Sequence, residues 1–226
     1  QCDTRNIPLP DNSLDMIFSD PPYIKDQLET YRWIAEEGQR LLKPGKFIAV
    51  MCGGMALNKI MRWFDDAGLS FYWLYQLQMT ASSVGIVWIQ GNSNVPISIR
   101  TKHVLVYCKG KALARTATVG FYRAGGIDKS WHHWGQDIDS HRYYIDCFSA
   151  PGDLILDPMV GGGTTAIAAQ ILNRRWIVGD LDCTATKTTY DRLTASYAPK
   201  TSLPLFDYLQ RQKEVKNYLR KQEVDE

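Results

Sequence analysis

Residues 156–169, LDPMVGGGTTAIAA, place three consecutive glycines between an apolar strand and an alanine-rich helix. Glycine at such a junction lets the backbone approach a ligand closely where a helix begins. Gly161, Gly163 and Ala166 satisfy the G-x-G-x-x-A spacing of dinucleotide-binding turns, a pattern that is weak evidence by itself. No lysine follows the glycines, so a Walker-type phosphate loop is not expected. The stretch therefore predicts a strand, turn and helix unit of an α/β protein.

Strands and helices alternate on both sides of this unit. Upstream, the hydrophobic pattern predicts strands over 14–19, 46–52, 69–77, 84–91 and 103–110, and helices over 28–45 and 56–68. The remaining predicted strands cover 153–157 and 176–180, and the remaining helices cover 164–175 and 184–197. This alternation is typical of an α/β fold with a largely parallel sheet and helices on both faces.

Three parts of the chain are less regular. The strands at 84–91 and 103–110 could form a hairpin. Residues 111–140 lose any clear period and are expected to be loops or a small insertion. Residues 205–226 have balanced charges and are expected to form a solvated terminal helix.

The composition is that of one globular domain with a sizeable core. The chain has 226 residues, of which 45% are hydrophobic and 22% charged. Its five cysteines include no Cys-x-x-Cys pair, which favours a reducing compartment and argues against zinc. His132 and His133 have no further ligands at suitable spacing, so no metal is expected. No apolar run reaches the roughly 20 residues of a membrane span, so a cytoplasmic protein is expected.

A stiff turn follows the first predicted strand, in the sequence FSDPPYIKD over residues 18–26. Pro21 and Pro22 each fix one φ angle, so Asp20 and Tyr23 should lie on a rigid turn. A carboxylate beside an aromatic ring, both held rigidly, suits a binding or catalytic site. The alternative interpretation is an ordinary end of a strand.

Two further carboxylates end predicted strands around the glycine cluster. Asp157 precedes the glycines, and Asp180 ends the following strand, where a carboxylate could accept hydrogen bonds from both ribose hydroxyls. Asp182 is the alternative acid for this role. The site is therefore expected to bind adenosine, although ordinary strand-end caps would also explain these acids.

A stretch without acidic residues lies between Asp66 and Asp128. Its basic residues are Arg100, Lys102, Lys109, Lys111, Arg115 and Arg123. Aromatic residues are interleaved with them, a mixture that suits phosphate contact and base stacking. The stretch is interpreted as a surface facing a polyanion, although several of the aromatic residues alternate along strands and must be core.

The quoted motifs together resemble a known family. SDPPY, DPMVGGGTT and VGDLD are similar to the motifs of S-adenosylmethionine-dependent DNA amino-methyltransferases. The Asp-Pro-Pro-Tyr motif precedes the glycine motif, which resembles the circularly permuted beta class of adenine-specific enzymes. The resemblance covers roughly residues 2–195. It implies a Rossmann-like methyltransferase fold with a mostly parallel mixed sheet and a target-recognition region at about 111–140.

The resemblance also implies roles for individual residues. The catalytic residues would be Asp20, Pro21, Pro22 and Tyr23, with Asp20 and the Pro21 carbonyl accepting hydrogen bonds from an exocyclic amino group. Tyr23 would stack on a base flipped out of the duplex. The residues around S-adenosyl-L-methionine would be Asp3, Asp157, Pro158, Met159, Gly161, Gly163, Thr164, Thr165, Asp180 and Asp182. The expected partner is double-stranded DNA. Restriction-modification is the expected context, and both a cognate nuclease and a homodimer are left open.

This chain departs from the family pattern in several places. Met159 stands where phenylalanine is usual. WHHWGQDID replaces a His-Pro and Lys-Pro pattern, and Trp134 within it would still border the cofactor. Asp3 stands where relatives carry Gly-Asp. The strand that normally precedes Asp3 does not fit in the sequence, which suggests a fragment of a longer protein.

Adenine is the expected target because cytosine-specific members more often carry serine in place of Asp20, and the exocyclic amino group of cytosine is the alternative target. Two other function classes remain as alternatives. A nicotinamide-dependent oxidoreductase would explain the glycine spacing but not the Asp-Pro-Pro-Tyr turn. A catalytically silent nucleic-acid-binding module is disfavoured by the intact motifs.

Overall fold

The structure is a computed structural model that describes residues 3, 5, 7–23, 25–78, 85–87, 97–124 and 137–194. The strands are Leu14–Ser19 (β1), Leu42–Cys52 (β2), Ser70–Gln78 (β3), Gly85–Val87 (β4), Ile97–Ile99 (β5), Thr101–Cys108 (β6), Phe121–Arg123 (β7), Leu154–Asp157 (β8) and Arg175–Val178 (β9). The helices are Glu29–Leu41 (α1), Leu57–Asp66 (α2), Ile138–Phe148 (α3), Thr164–Ile171 (α4) and Cys183–Thr194 (α5), and short 3-10 turns cover Lys25–Gln27 and Gly54–Ala56.

Seven strands form one mixed sheet in the order β7-β3-β6-β2-β1-β8-β9, and β4 and β5 form a separate antiparallel pair. β1 pairs in parallel with both β2 and β8, and β8 pairs in parallel with β9. β6 pairs antiparallel with β2 and β3, and β7 pairs in parallel with β3. β6 therefore runs against the other six strands of this sheet. We call the edge where those six strands end and β6 begins the carboxyl edge.

Helices cover both faces of the sheet because alternate residues of the central strands are apolar on both sides. In β2, Phe47, Ala49 and Met51 belong to a buried cluster that includes residues of α3 and α4. Ile48 and Val50 belong to a second cluster that includes residues of α1 and α2. The predicted α/β architecture with a mixed, mostly parallel sheet is confirmed.

The boundary between α1 and β2 lies earlier than the sequence predicts. The helix ends at Leu41, and β2 begins at once at Leu42. The pairing of β2 with β1 shifts register between Leu42 and Phe47, so that Pro44 and Gly45 lie in an irregular part of the strand. The proline and glycine therefore mark a bulge in β2 and not the end of the helix.

Other differences concern the middle of the chain. The predicted hairpin between 84–91 and 103–110 is wrong for the described residues, because β4 pairs with β5 while β6 enters the main sheet. β7, within the predicted insertion at 111–140, is an edge strand of that sheet, and its Tyr122 is buried in the first cluster. Helix α3 was not predicted from the sequence.

Several predictions fall outside the described residues. These are the terminal helix at 205–226, the placement of Trp134, and the assessment of His132 and His133 as metal ligands. Among the helices that are described, none combines the length and apolarity required to cross a lipid bilayer.

Candidate active site at the carboxyl edge

The proline turn and the glycine cluster lie side by side at the carboxyl edge, because β1 and β8 are adjacent parallel strands. Asp20 follows the last residue of β1, and Asp157 is the last residue of β8. The Ser19 hydroxyl donates a 2.7 Å hydrogen bond to Asp157 Oδ1, and both residues are buried. The two regions that carry the motifs are thus joined by a direct contact.

The proline turn is anchored on its inner side and open on its outer side. Pro21 is buried, whereas Tyr23 is 41% exposed. The buried Tyr31 hydroxyl on α1 lies 2.8 Å from the Met51 carbonyl and 3.3 Å from the Pro21 carbonyl, and can donate to either. The turn is therefore tied to the end of β2, and it leaves part of Tyr23 exposed.

The carboxylate of Asp20 is held by two side chains. The Tyr23 hydroxyl donates a hydrogen bond to Asp20 Oδ1. Lys102 Nζ lies 3.3 Å from Asp20 Oδ2 and 5.2 Å from the centroid of the Tyr23 ring. Lys102 reaches this site because β6 runs antiparallel and begins at the carboxyl edge.

The glycine loop is shaped by backbone hydrogen bonds to the two strand-end carboxylates. Asp157 Oδ1 accepts the Met159 N–H at 3.1 Å, and Asp180 Oδ2 accepts the Gly161 N–H at 3.1 Å. Gly161 has a φ angle of +49°, and a Cβ built on it would meet no atom within 4 Å. The loop is therefore open at Gly161, where a ligand could approach its backbone.

Helix α5 supports the same loop from the other side. Arg192 is fully buried, and its Nη1 donates a 2.7 Å hydrogen bond to the Gly162 carbonyl. The Thr189 hydroxyl donates to the Gly161 carbonyl at 3.2 Å. At Gly163, which has φ +81°, a Cβ would lie 2.9 Å from the Thr189 side chain. Gly163 is therefore required by its backbone conformation and by packing against α5.

Burial shifts the pKa values of two groups near the site. Burial, together with the nearby charge of Asp20, raises the pKa of Asp157 to about 6, although hydrogen bonds that include the one from Ser19 oppose the shift. Burial lowers the pKa of His141, near the start of α3, to about 4. His141 Nδ1 lies 2.8 Å from the Asp137 carbonyl, and its ring packs edge-on against Phe18 of β1. A neutral histidine therefore fills the space beneath the end of β1.

The other predicted cofactor residues have varied surroundings. Pro158, Thr164 and Thr165 are buried in and after the loop, and Met159 packs on the second core cluster. Asp182 Oδ1 accepts the Thr184 N–H at 2.7 Å, so Asp182 caps α5. Asp3 forms an exposed ion pair with Arg5.

The six basic residues do not lie on one surface. Arg100, Lys102 and Arg123 lie at the carboxyl edge, since β6 begins there and β7 ends there. Lys109 and Lys111 follow the end of β6 at the opposite edge, where Lys109 pairs with Asn12. Arg115 binds Asp146 at the end of α3. The expectation of one basic surface is therefore corrected, because the direction of β6 divides the stretch between two edges.

Several residues at the site were not singled out from the sequence. They are Ser19, Tyr31, His141, Thr189 and Arg192. Ser19 adjoins the Asp-Pro-Pro-Tyr motif and could have been found there. The others lie on helices whose position against the strand ends is set by tertiary packing. The described residues contain no cluster of three or more histidine, cysteine, aspartate or glutamate side chains that could hold a metal ion.

Comparisons with known proteins agree with this geometry. Residues 138–190, from α3 into α5, match the N6/N4 family described as DNA methylase. The Type II methyltransferase M.EcaI of Enterobacter cloacae is 45% identical over 64 residues, which cover 28% of this chain and 14% of M.EcaI. The chain thus matches a small part of that relative.

Two solved structures share the architecture. The crystal structure of the M1.HpyAVI–SAM complex has a TM-score of 0.65 and 20% identity, over 80% of this chain and 89% of that one. PvuII DNA methyltransferase (cytosine-N4-specific) has a TM-score of 0.65 and 13% identity, over 93% and 86% of the two chains. This chain therefore shares its fold with these two proteins. The family match and the likeness to M.EcaI therefore relate one part of this chain to N6/N4 DNA methylases.

Proposed function

We propose that this protein transfers a methyl group from S-adenosyl-L-methionine to the exocyclic amino group of adenine in double-stranded DNA. The observation that carries the proposal is the contact between Ser19 and Asp157, which places the proline turn and the glycine loop on adjacent strand ends. A methyl donor and an acceptor must meet in one cleft, and these two regions open at the same edge of the sheet. Their order in the chain fits the permuted beta class.

Asp20 and the Pro21 carbonyl are the proposed catalytic acceptors. Both are fixed on the proline turn, so they can accept hydrogen bonds from the two N–H groups of an amino group and direct its lone pair. Positive charge develops on that nitrogen during transfer, and the Asp20 carboxylate stabilises it. The anchoring of Pro21 near Tyr31 keeps these acceptors in place.

Tyr23 is the proposed contact for the flipped base. An amino group inside a duplex is inaccessible, so the target base must leave the stack at a cost of a few kcal/mol. Tyr23 is partly exposed. Its ring would stack on the base, which contributes roughly 1–3 kcal/mol and offsets much of that cost.

The glycine loop and the strand-end acids are the proposed cofactor site. The open backbone at Gly161 and the neighbouring carboxylates of Asp157 and Asp180 suit a ligand with an amino-acid part and a ribose. Asp180 would accept hydrogen bonds from the ribose hydroxyls, with Asp182 as a helix cap beside it. When bound, S-adenosyl-L-methionine supplies an electrophilic methyl group on a sulfonium.

The proposed DNA surface is the carboxyl edge around this cleft. Arg100 and Arg123 are exposed there, within the stretch that lacks acidic residues. Lys109, Lys111 and Arg115 do not belong to this surface because the fold places them away from the site.

The test is the identity of the methylated base. The purified protein is incubated with labelled S-adenosyl-L-methionine and unmethylated genomic DNA, and the DNA is digested to nucleosides for chromatography. We expect the label in N6-methyladenine, and none with the matched variant Asp20→Asn. Label in N4-methylcytosine would support methyl transfer to a DNA amino group but would make cytosine the target base. Absence of label in DNA from the wild type would contradict the proposal.

A further inference from the structure

Lys102 stands out because its ammonium group lies inside the proposed active site. Its side chain is 17% exposed and that of Asp20 is 15% exposed, so their ion pair is largely shielded from solvent. Arg100, two residues earlier in the chain, is exposed. The two cations of this short segment therefore have different surroundings, although their charges are alike.

The contacts of Lys102 complete a ring of interactions around Asp20. Tyr23 donates to Oδ1, and Lys102 lies against Oδ2. The same ammonium lies 5.2 Å from the centre of the Tyr23 ring, within the range of a cation–π contact. The acceptor carboxylate and the ring proposed to stack on the base are thus held against each other by one side chain.

We propose that Lys102 is a positioning residue for methyl transfer, which orients the Asp20 carboxylate and the Tyr23 ring for the target base. This role rests on the proposed function. Each oxygen of a carboxylate has two lone pairs, so contacts with Tyr23 and Lys102 can fix its plane and still leave acceptor positions for the amino group.

The physical reason for such a residue is the sensitivity of transfer reactions to alignment. A side-chain carboxylate rotates easily about its terminal bond unless neighbours hold it. A misplacement of about 1 Å can cost on the order of 10²-fold in rate. A cation next to Asp20 also reduces its net negative charge, so the benefit of Lys102 must come from orientation and not from stabilising charge on the amino nitrogen.

The inference is tested with Lys102→Met, which keeps the length of the side chain and removes the ammonium. At saturating DNA and S-adenosyl-L-methionine, we expect the single-turnover rate to fall at least about tenfold. The Michaelis constant for the cofactor and the salt dependence of DNA affinity should stay close to those of the wild type. Lys102→Arg restores a cationic donor and should recover most of the rate.

Two further variants serve as controls for the rate and for the salt dependence of DNA affinity. Lys187→Met removes an exposed lysine of α5 that pairs with Asp191, and it should leave the rate unchanged. Arg100→Met should flatten the salt dependence, as expected for a phosphate contact. If Lys102→Met does not fold by circular dichroism, Lys102→Gln replaces it, because the shorter neutral amide does not reach Asp20.

The outcomes separate this inference from the proposed function. A wild-type rate in Lys102→Met, together with a flatter salt dependence, would make Lys102 a phosphate contact and overturn the positioning role alone. An equal loss of single-turnover rate in Lys102→Met and Lys102→Arg would also overturn the positioning role. A wild type that transfers no methyl to DNA would contradict the proposed function, and the role of Lys102 would fall with it.

Discussion

The hydroxyl of Ser19 donates a 2.7 Å hydrogen bond to the buried carboxylate of Asp157 and thereby joins the end of β1 to the end of β8. These strands are adjacent in the sheet, although Ser19 and Asp157 are 138 positions apart in the chain. The contact explains how a catalytic turn near the start of the sequence and a cofactor loop near its end can serve one site. Asp157 itself is buried, and burial disfavours the charged form of its carboxyl group.

Asp157→Asn should change how stability depends on pH. The pKa of Asp157 is raised from 3.8 to about 6 in the folded chain, so the folded state binds the proton more tightly than the unfolded state does. The resulting stability is present below pH 4 and is lost as the pH rises through about 6, a loss of roughly 3 kcal/mol. In Asp157→Asn this loss should be absent.

Urea unfolding between pH 4.5 and 7.5 measures the effect. The free energy of unfolding of Asp157→Asn should increase relative to that of the wild type as the pH increases. A difference that stays constant over this range would show that Asp157 does not titrate there. The same variant should bind S-adenosyl-L-methionine more weakly, because the loop loses its carboxylate.

The last residues of β1, β2 and β8 were predictable from the sequence. β1 forms over the predicted residues because a short, mostly apolar run bounded by a proline turn is typical of a buried strand. The same turn indicated Asp20 and Tyr23 as site residues, since two prolines restrict the backbone through local chemistry alone.

The missed features depend on tertiary contacts. Helix α3 was not found because its buried face mixes apolar residues with Ser140 and His141, which blurs the apolar pattern of a helix. Its Tyr143 and Tyr144 pack against other aromatic rings. The position of Lys102 at the carboxyl edge follows from the antiparallel direction of β6. The hydrophobic pattern of a strand does not indicate whether it runs parallel or antiparallel to its neighbours, so the sequence did not predict this position. Arg192 looks like any basic residue of a polar helix until α5 packs on the glycine loop.

Tyr31→Phe tests the anchoring of the proline turn. The hydroxyl of Tyr31 is the donor placed between the Met51 and Pro21 carbonyls, and its removal leaves a buried acceptor without that donor. We expect a loss of about 1–3 kcal/mol in the free energy of unfolding. The single-turnover rate should fall while the affinity for S-adenosyl-L-methionine is retained, because the cofactor loop is not touched. Weaker cofactor binding with an unchanged rate would contradict this account.

Arg192→Met tests the support of the glycine loop by α5. The methionine keeps the apolar stem but removes the donor to the buried Gly162 carbonyl. We expect a loss of about 1–3 kcal/mol in unfolding free energy and weaker binding of S-adenosyl-L-methionine by calorimetry. Lys187→Met on the exposed side of the same helix is the matched control. Cofactor affinity equal to that of the wild type would show that the loop keeps its shape without Arg192.

The division of the basic residues between two edges gives a prediction about DNA binding. Neutralising Arg100 and Arg123 to glutamine removes two charges at the carboxyl edge, and the slope of log affinity against log salt should decrease by about 0.9 for each phosphate that is no longer neutralised. Lys109 and Lys111, changed to glutamine together, form the matched pair at the opposite edge and carry the same charge. Because a duplex that delivers a base to Asp20 must lie over the carboxyl edge, only the first pair should alter the slope. Equal changes in both pairs, measured by fluorescence anisotropy from roughly 50 to 200 mM salt, would mean that DNA binds the opposite edge as well.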